Sequence, residues 1–94
     1  MPVVRFDVMW PDATVMRCQS PSTIIRSFFT DGETLPLAQF MASAERGLNA
    51  ASERVREKYG FACSAASDQL EIIQRKAEEF KQSSDAVVQV IKVY

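Results

Sequence analysis

Pro36 to Gly60, "PLAQFMASAERGLNAASERVREKYG", is the stretch on which the fold turns. Leu37, Phe40, Met41, Ala44, Leu48, Ala51, Val55 and Tyr59 recur at steps of three and four, the spacing of one apolar face on a helix. Arg46, Asn49, Glu53 and Arg56 fall on the opposite side. Pro36 opens this helix, and Gly60 stands just past its last periodic residue, where a left-handed cap favours glycine.

Working towards the N-terminus, Ser20 and Pro21 supply a capping hydroxyl and a first-turn proline. Ile24 with Phe28 and Ile25 with Phe29 are four apart, so a short helix is expected there, ended by "TDG" through Gly32. Before it, "VVRFDVMW" (Val3–Trp10) alternates Val4, Phe6 and Val8 with Arg5 and Asp7, and "TVMRC" (Thr14–Cys18) returns as a second strand after a "PDA" turn. Towards the C-terminus, Ala66, Leu70, Ile73, Ala77 and Phe80 mark a further helix starting near Ser64, with Glu71 placed to meet Arg75 one turn on. "AVVQVIKVY" (Ala86–Tyr94) then reads as a β-branched strand.

The expected fold is a single α+β domain over residues 1–94. Its order is β-β-α-α-α-β, a three-stranded, mainly antiparallel sheet with helices on one face. The last strand sends Val88 and Val90 one way and Val87, Ile91 and Val93 the other, so both faces of the sheet read as partly apolar. The uncovered face wants a second layer, which a second copy of the chain could supply. A homodimer is therefore expected, with Val87, Ile91 and Val93 as candidate interface residues. Trp10 is a milder candidate: an exposed tryptophan marks an interface, although at a strand end its other role is to close the core.

Composition removes several functions. Eleven basic and twelve acidic residues give a net charge of −1, and no basic tail or face offers a nucleic-acid footprint. No leader-like segment and no run of about 18 apolar residues appears, so a cytoplasmic, non-membrane location is expected. Two cysteines, Cys18 and Cys63, lack metal-site or disulfide-framework spacing. Zero histidines remove Ser/His and Cys/His nucleophile pairs and imidazole metal ligands. No metal and no cofactor is expected.

The junction of the last two helices gathers the remaining chemistry. Glu53 to Arg56 and Arg54 to Glu57 are spaced as ion pairs, and the plain reading is a solvated helix face. The sharper reading uses the helix starting near Ser64, whose unpaired amides and Ser64 and Ser67 hydroxyls would meet Lys58 and Arg54 around a small anion. Asp68 opposes that reading by occupying part of the same field. Cys63 stands at the threshold, where a helix start and nearby cations lower a thiol pKa, yet "FAC" reads equally as buried packing.

The combination of "WPDAT" (Trp10–Thr14), "CQSPS" (Cys18–Ser22), "ASERVREKYGFACSAASDQL" (Ala51–Leu70) and the valine-rich terminal strand resembles a small bacterial family of nitrogen-starvation-response proteins. The resemblance covers essentially the whole chain. It implies encoding in a gene cluster with a nitrilase, a radical-SAM protein and an acetyltransferase-like protein, and it brings no catalytic residues to transfer. Ala13 departs from it, standing where the glycine of a "PDG" turn is expected. The leading expectation is a non-enzymatic accessory protein of a nitrogen-limitation pathway that binds another product of the cluster or itself. The alternatives are a small-anion or metabolite binder using Arg54, Lys58, Cys63, Ser64 and Ser67, and a small Cys63-dependent enzyme.

Overall fold

Val4, Phe6 and Val8 lie on one side of the first strand, β1 (Val4–Met9), and all three are buried. In this computed structural model, which describes residues 4–60, 64–82 and 85–94, β1 is central. It pairs antiparallel with β2 (Val15–Ser20) on one side and with β4 (Val87–Val93) on the other. A short strand, β3 (Thr34–Pro36), pairs antiparallel with the outer edge of β4. The order across the sheet is β2-β1-β4-β3.

Two α-helices supply the second layer: α1 (Leu37–Tyr59) and α2 (Ser64–Glu78). Phe40, Ala44 and Leu48 of α1 and Ala66 and Ile73 of α2 join Val4, Phe6, Val8, Cys18, Val88 and Val90 of the sheet in one buried cluster. α1 ends as its sequence predicts, with Gly60 left-handed at φ 81° and its N–H donated to the Arg56 carbonyl. An α+β fold with an antiparallel sheet is thus observed, but with four strands and two α-helices rather than three and three.

Two differences account for the changed count. The expected first helix is a five-residue 3-10 helix, Thr23–Ser27, whose start Ser22 caps by accepting the Ile24 N–H. Too few residues separate Ser22 from the Gly32 turn for an α-helix to repay its nucleation. The missed strand, β3, has only three residues and ends in a proline, so it carries no visible alternation. It fixes the entry to α1: Leu35 lies opposite Val88, and the Leu37 N–H donates to the Ala86 carbonyl.

A third difference reorients the end of the chain. Val8 faces Val90 while its neighbour Asp7 faces Lys92, so Ile91 is an extra residue in β4, a β-bulge. The bulge resets the alternation. Val93 falls opposite Phe6 and packs against the core, not on the uncovered face.

Trp10 is also core. It is 1% exposed, packed edge-on to Phe40 with centroids 5.6 Å apart and stacked on Phe80 at 6.1 Å. A buried indole between two aromatic rings has no surface to offer a partner, so its place among interface candidates is corrected. Among the described residues no helix is long and apolar enough to cross a membrane.

Candidate functional site

The helices cover one face of the sheet and leave the other open. Across the middle of that open face runs a row of three charged residues from adjacent strands: Arg17 of β2, Asp7 of β1 and Lys92 of β4. Opposite charges facing each other across strands stabilise a sheet, and here one carboxylate is flanked by two cations. Asp7 is nevertheless nearly buried, at 8% exposure, because Tyr94 folds back over it. The Tyr94 N–H donates to the Arg5 carbonyl at 2.7 Å, extending the β1–β4 pairing, and its hydroxyl donates to Asp7 Oδ2 at 2.9 Å. Arg26, from the 3-10 helix, donates through Nε and Nη2 to the Tyr94 main-chain oxygen at 3.2 and 2.7 Å.

Two cations approach the Tyr94 ring, Lys92 Nζ at 5.0 Å and the Arg5 guanidinium at 5.9 Å from its centroid. The hydrogen bond to Asp7 raises the Tyr94 phenol above its ordinary range, aided by desolvation and by the Asp7 charge; Arg17 and Arg5 pull the other way. Asp7 Oδ1 has no hydrogen-bond partner among the described residues, and its nearest cation is Arg17 Nε at 3.7 Å. Exposed Val15, Val87 and Ile91 frame this charged centre. The sheet residues of the centre are three cations, Arg5, Arg17 and Lys92, against one covered carboxylate.

A second concave feature lies where α1 ends beside the start of the 3-10 helix. It is a cleft of about 410 Å³ lined by Pro21, Ser22, Thr23, Arg54, Val55, Glu57, Lys58 and Tyr59. Val55 belongs to the buried stripe of α1, so Arg54 and Lys58, four apart on the flank of that stripe, rim the cleft. The structure therefore brings two of the five proposed ligand residues together. Ser64 and Ser67 are exposed on the first turn of α2 and do not line this cleft. Cys63 lies outside the described residues.

The serine and threonine that line the cleft are Ser22 and Thr23 instead. The sequence marks Ser20 and Pro21 as a helix start and gives Ser22 and Thr23 no role, and nothing in the spacing tells which helix end the 3-10 segment will abut. Of the interface candidates, Val87 and Ile91 stand exposed on the open sheet face, at 46% and 40%. No pattern in the sequence marks Tyr94, because its role depends on Asp7, far away in the chain. The other cysteine, Cys18, is buried, and burial first, then the Asp7 charge, pushes its thiol up to about 12, far from a reactive thiolate.

The family described as Nitrogen starvation-induced protein NitG matches residues 5–93. The chain belongs to this family. The match takes in the α1 cleft and the sheet-face residues from Arg5 and Asp7 in β1 to Lys92 in β4, and stops one residue short of Tyr94. Comparison with curated proteins and with solved structures found no match.

Proposed function

We propose that this nitrogen-starvation-induced protein works without catalysis, by docking an acidic protein partner on its open sheet face. One observation carries the reading: a sheet face left uncovered by the helices combines exposed Val15, Val87 and Ile91 with Arg5, Arg17, Lys92 and the half-exposed Tyr94 ring. Exposed apolar side chains around a Tyr/Arg centre are what interface hot spots are made of. Asp7, the carboxylate between Arg17 and Lys92, is covered by Tyr94, so Arg5, Arg17 and Lys92 give the middle of the face positive charge, and an acidic surface is its complement.

A second copy of this chain is the rival occupant, and it is supported by the exposed valines and isoleucine. Two such faces stacked on each other bring two sets of cations together, which costs rather than stabilises unless each set finds a carboxylate. The acidic partner is therefore favoured, and a product of the same gene cluster is the natural candidate.

The test titrates the purified chain against each protein encoded beside it, one at a time, with light scattering of the chain alone as a companion. One neighbour should bind, its affinity should fall as salt rises, and Arg17→Glu with Ile91→Asp should weaken it at least about tenfold. Binding by none of them, or binding that ignores the double substitution, removes the reading. A dimer mass that the same substitution converts to a monomer transfers the face to the second copy.

A further inference from the structure

The cleft between the end of α1 and the start of the 3-10 helix is independent of the sheet face and shares no lining residue with it. Its charged residues are Arg54, Lys58 and Glu57. Among the described residues none of the three is in an ion pair, although their neighbours Glu53 and Arg56 pair with each other at 3.6 Å. Two cations and one carboxylate leave the cleft with a single net positive charge.

Its uncharged lining completes the chemistry. Pro21 and Val55 are buried and give the cleft an apolar floor, and the Tyr59 ring is half exposed beside them. The Ser22 oxygen accepts the Ile24 N–H, which leaves its own O–H to donate, and Thr23, the next residue in the chain, also lines the cleft. The volume lies within the range of small-molecule sites.

We infer that this cleft binds a small organic monocarboxylate. Arg54 and Lys58 take the carboxylate, Arg54 by a bidentate pair and Lys58 as a point charge. Ser22 or Thr23 donates to a carboxylate oxygen, and the apolar body lies on Pro21, Val55 and the Tyr59 ring. Glu57 sets selectivity. A monoanion neutralises the cleft, whereas a dicarboxylate or a phosphate dianion leaves excess negative charge beside Glu57 and binds more weakly.

The test is a nuclear magnetic resonance titration of the whole chain with benzoate, butyrate, succinate and inorganic phosphate at constant ionic strength. Benzoate or butyrate should shift the Thr23 and Tyr59 amide signals saturably, ahead of succinate and phosphate. Arg54→Gln with Lys58→Gln should weaken that binding at least about tenfold, and Glu57→Gln should raise the affinity for succinate. The side chains changed are exposed, and an otherwise unchanged spectrum shows that each variant is folded. Shifts that never saturate, binding that survives the double substitution, or tighter binding of succinate or phosphate overturns the inference. Arg17→Glu with Ile91→Asp should leave carboxylate binding unchanged, so the fate of this cleft and that of the sheet face are read separately.

Discussion

The Tyr94 hydroxyl donates to Asp7 Oδ2 at 2.9 Å across 87 positions of sequence, joining the end of the chain to the centre of its sheet. This contact covers the one carboxylate in the middle of the open face and leaves Arg5, Arg17 and Lys92 to define what that face offers.

The contact also makes stability sensitive to alkali. A phenol whose folded pKa lies above its ordinary value contributes stability that is fully present below the unfolded value of 10.0 and is lost as pH rises through the folded value. In a Tyr59→Phe background, where Tyr94 is the only tyrosine, the tyrosinate absorbance of the native protein should titrate above 10.0. Asp7→Asn should bring that midpoint back towards the ordinary value, because it removes the charged acceptor. A midpoint indifferent to Asp7→Asn contradicts the geometry.

Ala13 adopts φ 68° in the β1–β2 turn, where the Trp10 carbonyl accepts its N–H. A left-handed conformation costs a residue with a Cβ about 1–2 kcal/mol, while glycine's greater freedom in the unfolded chain returns part of that. Ala13→Gly should therefore stabilise the protein by about 0.5–1 kcal/mol, read from the midpoint of urea unfolding. The "PDG" turn expected from the family resemblance is the unstrained form of the same geometry.

The elements with a clear period were legible. The apolar stripe from Leu37 to Val55, the alternation of Val4, Phe6 and Val8, and the Gly60 cap depend on neighbours within one or two turns, and each appears as its spacing predicts. What was not legible depends on pairing. Extending the alternation of β4 puts Val93 on the outer face, and a single extra residue at Ile91 reverses it. β3 exists because β4 lies beside it, and no pattern within Thr34–Pro36 announces it. At the cleft, the spacing marks Arg54 and Lys58 as cations on one flank but points to partners in the next helix along the chain. Their partners lie in the segment Pro21–Thr23, which tertiary packing brings alongside.

Gly47 is buried where α1 meets the 3-10 helix. A Cβ there would come within 2.6 Å of Ile25 Cδ1 and 3.2 Å of Phe28 Cγ. Helix propensity alone favours alanine by about 1 kcal/mol at a mid-helix glycine. Overpacking a filled core costs about 1–3 kcal/mol, and Ile25, fully buried, has little space to turn away. The clash should win: Gly47→Ala is expected to destabilise by about 1 kcal/mol in urea unfolding. Pairing it with Ile25→Val, which removes the atom in closest approach, should recover part of the loss. Stabilisation by Gly47→Ala alone would mean that the two helices do not approach this closely.

Asp12 ties the β1–β2 turn to α2. The Thr14 N–H donates to its Oδ1 and Lys76 Nζ to its Oδ2, both at 3.1 Å. Hydrogen bonding from the Thr14 side chain, then from Lys76, then from the Thr14 amide, lowers the Asp12 carboxyl from 3.8 to about 2. A carboxyl with a depressed folded pKa contributes stability that is present above the unfolded value and is lost as pH falls through the folded one. The window for Asp12 therefore runs from 3.8 down to about 2. The urea midpoint of the wild type should exceed that of Asp12→Asn by a constant margin above this window, and the margin should shrink within it. Lys76 stays protonated throughout, since the Asp12 contact raises its pKa further, so the change in margin does not come from the amine. A margin that stays the same across the window would show that Asp12 and Lys76 do not hold the turn to the helix in solution.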